Sequence, residues 1–141
     1  MPFAGINHLA VLVAAIAAFA FGATYYMILG KAWMAALGKS PEDRPGKGKG
    51  AAAAVPFVVA ALAQLVIAYV LAGLMGHLGE AAYSARGGAF TGALVWLGFV
   101  LTTMSVNHAF QGAKRGLTLI DGGHWLGVFL VQGLVLGLFG I

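Results

Sequence analysis

Cysteine is missing from this sequence altogether, and acidic side chains nearly so: Asp and Glu together number 4 in 141 residues. Without a thiol there is no disulfide, no thiolate nucleophile and no cysteine metal site. Charged residues of both signs make up 9% of the chain and apolar residues 61%, against about 25% and about 45–50% in soluble domains. So few charges cannot cover the core that so many apolar groups would build in a soluble particle of this size. Lipid is the solvent the composition asks for. The basic residues behind the net charge of +4 lie in the loops between long apolar runs and form no aromatic-interleaved patch, which argues against nucleic acid.

What is present is four apolar runs, expected as spans at about residues 6–30, 53–78, 88–111 and 120–141. Each has the ~20 residues needed to cross ~30 Å of hydrocarbon. The expected fold is an all-α integral membrane protein, a single domain over residues 1–141 with four transmembrane helices in an up-down-up-down bundle. In the first run Ala18-Phe19-Ala20 looks like a signal cleavage site, but no Lys or Arg precedes the apolar stretch, so the run is expected to remain as an anchor. Asn7, Ala10, Ala14, Ala17, Phe21 and Thr24 follow a 3-4 spacing that gives it a narrow packing seam. Tyr25, Tyr26 and Trp33 bracket its end at the headgroup level, and 31–37 reads as a short interfacial helix. Residues 38–50, rich in Gly, Pro and Lys, read as a flexible basic loop. The second and third spans, joined by the short stretch 80–86, are expected as antiparallel neighbours.

The last span carries two faces that need partners. At ~100° per residue, Gly122, Gly123, Gly127, Gly133, Gly137 and Gly140 fall in one arc of roughly 140°, and Asp121, Trp125 and Gln132 lie nearly opposite. On the third span Gly88, Thr91, Gly92, Val95, Gly98, Thr102, Ser105 and Ala109 trace the small-residue face expected to meet that arc. On the second, Gln64 shares a face with Ala53, Phe57, Ala60 and Leu71; its amide needs a partner, which turns this face into the bundle.

Lys and Arg set the orientation. Lys31, Lys39, Arg44, Lys47 and Lys49 in the first loop and Lys114 and Arg115 in the third stand against Arg86 alone in the second. By the positive-inside rule the first and third loops are cytoplasmic and both termini face outward. His8 and His77 then lie near the outer face, His108 and His124 near the inner one.

Asn7, Gly22, Tyr25-Tyr26 and Gly30-Lys31-Ala32-Trp33-Met34, followed by Trp96-Leu97-Gly98-Phe99 and Ile120-Asp121-Gly122-Gly123, resemble in order and spacing the bacterial membrane family catalogued as domain-of-unknown-function 1761. The likeness covers nearly the whole chain, with Tyr25 in place of an expected Trp and His124 in place of an expected Tyr. The resemblance implies a four-span protein of the bacterial inner membrane and supplies no activity.

Asp121, His124 and His108 form the best chemical constellation. Two of them are three apart on one helix and the third ends its neighbour, an O/N/N set suited to Zn²⁺ or to a proton. The stronger expectation is that Asp121 caps the first turn of its helix. His8 with His77 suits an outer metal or axial ligation of a tetrapyrrole less well than ordinary interfacial hydrogen bonding; no cofactor is required. Gln64, Gln132 and Asn107 read as interhelical glue ahead of a water-lined path. Trp33, Lys31, Lys39, Lys47 and Lys49 suit membrane lipid, anionic headgroups above all. The expected function is non-enzymatic: packing as a homo-oligomer or as an accessory subunit of a larger inner-membrane complex, because span four is expected to be unable to bury both faces within its own bundle without leaving another surface uncovered. The alternative is a small transporter or channel for a proton, metal ion or small solute at an oligomer axis.

Overall fold

The computed structural model describes residues 3–140. Among these the chain is all-helical. Four helices are long and apolar enough to cross a membrane: α1 (His8–Leu37), α2 (Ala51–Leu78), α3 (Ala85–Phe110) and α4 (Arg115–Phe139). Ile141, included in the expected last span, lies outside the described residues.

Helix α1 is a single rod of 30 residues, ~45 Å at 1.5 Å per residue. The expected interfacial helix over 31–37 is its last two turns: neither Gly30 nor Lys31 interrupts the ladder, and no proline follows until Pro41. Asn7 is the N-cap, its Oδ1 accepting from the Ala10 amide at 3.0 Å, so it starts the helix instead of joining the seam. Gly38, at φ 71°, turns the chain out in the left-handed conformation that glycine adopts at low cost. The segment 39–50 holds one short 3₁₀ turn at Pro41–Asp43, and Gly46 backs onto the Phe57 ring.

Helix α4 is the hub. It packs along α1 on one side and α3 on the other, while α2 lies mainly against α1. The contacts run in opposite order along each α4 pair: Gly22 meets His124 and Phe21 meets Gly127, whereas Gly88 meets Gly133 and Gly92 meets Phe129. Helices α2 and α3, expected as close neighbours, touch only slightly. Their short link, including the Glu80–Ala82 turn, sends them to different sides of the hub. The core is correspondingly small-residued, with Ala10, Ala14, Ala18, Ala68 and Val128 at 1% exposure or less. Small side chains let helix axes approach, which in lipid replaces the hydrophobic drive as the source of cohesion.

The glycine arc of α4 is shared. Gly133 and Gly137 are pressed against the Gly88 and Ser84 carbonyls of α3, while Gly123 and Gly127 receive the Tyr25 hydroxyl and the Phe21 ring of α1. Gln132, fully buried, donates to Gln64 of α2. Both demanding faces of α4 are therefore satisfied by its own chain, which corrects the expectation that one of them must seek another. The α1 seam read from spacing holds at Ala10 and Ala14, which are buried, and shifts beyond them: Ala18 and Gly22 are buried, Ala17 is only half-buried, and Thr24 is exposed and bonds back to Ala20. On α2, Gln64 and Leu71 are buried as expected, but Phe57 remains half exposed, since the buried face begins only at Gln64.

Helix α3 changes winding midway. Trp96–Leu101 is π-helical, between regular turns on either side. One extra residue in such a turn rotates everything beyond it by roughly 100°. Gly88, Thr91 and Gly92, before the turn, are buried, as expected, whereas Gly98 within it and Thr102, Ser105 and Ala109 beyond it are exposed and face away from α4.

Candidate functional site

Three consecutive residues of α4 receive side-chain hydrogen bonds from the helices on either side. Tyr25 Oη donates to the Ile120 carbonyl at 2.6 Å and Tyr26 Oη to Asp121 Oδ1 at 2.7 Å. From α3, Trp96 Nε1 donates to the Gly122 carbonyl at 2.9 Å. Adjacent tyrosines lie ~100° apart on a helix, so one phenol can reach the backbone of α4 while the other reaches its carboxylate. Trp96 opens the π turn, and its indole bond ties the bend of α3 to the same level of α4.

Asp121 is accordingly not a cap. Helix α4 begins at Arg115, with Lys114 in the N-cap position and no side-chain cap bond, so Asp121 lies almost two turns inside and serves as acceptor for Tyr26. The glycines at 122 and 123 did not delay the helix, because α1 and α3 press against the backbone they expose.

His124, one turn further, is 7% exposed. Its imidazole is surrounded by rings: Tyr26 at 4.7 Å, Trp125 at 4.8 Å, Tyr25 at 5.7 Å and Phe21 at 6.4 Å between centroids. Room for it comes from Gly22, where a methyl group would stand 2.7 Å from Nε2. Trp33 closes the cluster edge-on to Tyr26 at 5.2 Å. Two buried nitrogens in this cluster, His124 Nδ1 and Trp33 Nε1, have no hydrogen-bond partner.

The other expected residues fall elsewhere. His108 Nδ1 pairs with Thr118 Oγ1 at 2.8 Å, so His108, Asp121 and His124 do not converge; among the described residues no three His, Asp or Glu side chains gather as a metal set. His8 stacks on Tyr69. Gln132 and Gln64 bond to each other, and Asn107 stands exposed on α3. Lys31, Lys39, Lys47 and Lys49 are exposed, and Lys114, not singled out from spacing, donates to the Ala35 carbonyl at 3.3 Å at the C-terminal end of α1. A lysine is favoured there by the free carbonyls and the helix dipole.

Gly22, Tyr25, Tyr26, Trp33, Trp96, Asp121, Gly122 and Gly123 are scattered over a hundred residues of sequence and gather in one layer of the structure. The family model for a protein of unknown function, DUF1761, matches residues 9–137. The chain belongs to this family. Many of the residues that carry the resemblance thus lock the hub helix of this DUF1761 protein to its two flanking helices, while Lys31, Leu97, Gly98 and Phe99 stay exposed. No curated protein and no solved structure matches the chain.

Proposed function

We propose that this DUF1761 protein is a non-enzymatic membrane protein that works by packing, as a homo-oligomer or as an accessory subunit of a larger complex in the bacterial inner membrane. The bundle is up-down-up-down, a reading supported by the opposite order of contacts along both α4 pairs. The seven-to-one distribution of Lys and Arg supports placing 38–50 and 111–114 in the cytoplasm, both ends of the chain outside, and the exposed lysines of the first loop against anionic headgroups.

The observation that carries the reading is the outward face of α3 from the π turn to its C-terminal end. Only 11% of the apolar window of this helix is buried, against 44% for α4. From the π turn onward it presents Gly98, Thr102, Ser105 and Ala109 outward, with Asn107 nearby. Nothing stands within 4 Å of a methyl group placed on Gly98. Small and hydroxylated residues at helical spacing let a neighbouring backbone come close, whereas acyl chains gain little from them. The surface offered to another chain is therefore on α3, not on the hub.

The absence of native cysteine makes the test direct. Single Ser105→Cys and Val66→Cys variants are oxidised in native membranes and run on non-reducing gels. A crosslinked species from Ser105→Cys and none from Val66→Cys is expected, its mass separating a second copy from a different subunit. Equal crosslinking, or none, at the two positions, with monomer alone in native mass spectrometry, would defeat the proposal.

A further inference from the structure

We infer that the groove beside the contact of α1 with α2 is a phospholipid site, holding one acyl chain with the headgroup phosphate at His8. The inference stands apart from the packing role of α3 and from the basic first loop. The groove has a volume of about 330 Å³ and is lined by Val11 of α1 and by Leu65, Val66, Tyr69 and Val70 of α2. Small residues bring the two helices together, with Ala15 and Ala68 buried in their shared core. The i, i+4 pairs Leu65–Tyr69 and Val66–Val70 then stand as ridges on α2. Val11, Val66 and Val70 are β-branched and keep nearly one rotamer on a helix. The groove therefore holds its shape before anything enters it, and little order has to be imposed on binding.

Size and surroundings choose the occupant. The Tyr69 phenol is the one polar group among the lining side chains, and both helices are long and apolar enough to cross a membrane. An apolar cavity of ~150 Å³ takes one benzene ring, so this groove has room for about a dozen carbons. That suits a single acyl chain and is less than a neighbouring helix, ~10 Å across, would need.

Rings gather at Tyr69. It stacks on Phe3 at 5.5 Å and on His8 at 6.3 Å between centroids, and Gly73 leaves the room that the Phe3 ring takes. His8 is the first residue of α1 and is exposed. It stands where the apolar span ends, so a chain lying in the groove brings its headgroup to the imidazole, whose N–H donates to a phosphate oxygen.

The full chain is held in nanodiscs with a small share of phosphatidylcholine carrying a diazirine midway along one acyl chain, then irradiated, digested and mapped by mass spectrometry. Val58, Val59 and Leu62 are the internal standard: they are more than half exposed and lie on the other side of Gln64 along the same helix, where bulk lipid labels them. Severalfold more label is expected at Val11 and at 65–70 than at 58–62. The excess is expected to vanish in Val66→Phe, whose added ring fills the groove from a position already 62% exposed. It is expected to drop severalfold in His8→Ala, and likewise when the probe is a diacylglycerol with the same chains and no phosphate. Even label along α2, an excess that survives Val66→Phe, or an equal excess from the diacylglycerol overturns the inference, as does a disulfide-linked neighbour at Val66→Cys.

Discussion

Gln132 gives its amide N–H to both oxygens of Gln64, 2.8 Å to Oε1 and 3.1 Å to the main-chain carbonyl. This is the polar tie between α2 and the hub, and it leaves Gln132 Oε1 buried with no donor. Interhelical bonds of this kind contribute roughly 0.6 kcal/mol on average and up to ~1.7. Replacing both partners by apolar groups of similar size can be close to neutral, while replacing one strands the other. The cycle of Gln64→Leu, Gln132→Leu and the double variant, read by unfolding in mild detergent, should therefore show a coupling of about 1 kcal/mol, with the double variant less destabilised than the sum of the singles. Strict additivity would mean the two amides are not partners.

Glycine at 88 and glycine at 98 make opposite predictions. A methyl on Gly88 would overlap the Gly133 carbonyl of α4, and forced separation of packed helices costs about 1–3 kcal/mol. At Gly98 the methyl meets open space within the chain, and helix propensity alone favours alanine by about 1 kcal/mol. Thermal unfolding of purified monomer should drop for Gly88→Ala and hold or rise for Gly98→Ala.

The phenols beside each other on α1 should not be equivalent. Tyr26→Phe leaves the Asp121 carboxylate without its recorded donor, and hydrogen bonds to charged groups are worth about 1.5–3 kcal/mol. Tyr25→Phe removes only an additional donor to a helical carbonyl, worth about 1 kcal/mol. The melting temperature should fall further for Tyr26→Phe, and Asp121→Asn should lie between them.

Lys114→Gln removes the cation from the C-terminal carbonyls of α1. The expected loss is about 0.3–1 kcal/mol and shrinks as salt is raised, since exposed charge on a helix end is screened. A loss insensitive to ionic strength would assign the effect to packing of the lysine stem instead.

Periodicity and composition were enough for the four long helices, for the meeting of Gly88 and Gly92 with α4, and for the buried Gln64, because each depends on side-chain size and on the 3.6-residue repeat. Three features lay outside their reach. Asp121 looked like a cap because the apolar run begins at about residue 120, yet the helix extends back to Arg115 and α1 and α3 press against its backbone at Gly122 and Gly123. The π turn at Trp96–Leu101 has no periodic signature, so every face beyond it was assigned to the wrong side. The pairing of Gln132 with Gln64 depends on which helices become neighbours, and a chain whose second and third helices part at a short link defeats the rule that sequential spans pack together.

The extra residue in the middle of α3 makes chain length there a structural variable in its own right. A relative one residue shorter between Trp96 and Leu101 would wind this helix regularly, and its Thr102 and Ser105 counterparts would turn toward the hub, into the half-buried places of Leu101 and Met104. Its outward surface would then lack the small-residue stripe. Within the family, a single-codon deletion at that point would separate chains that offer small residues to a neighbour on this flank from chains that do not.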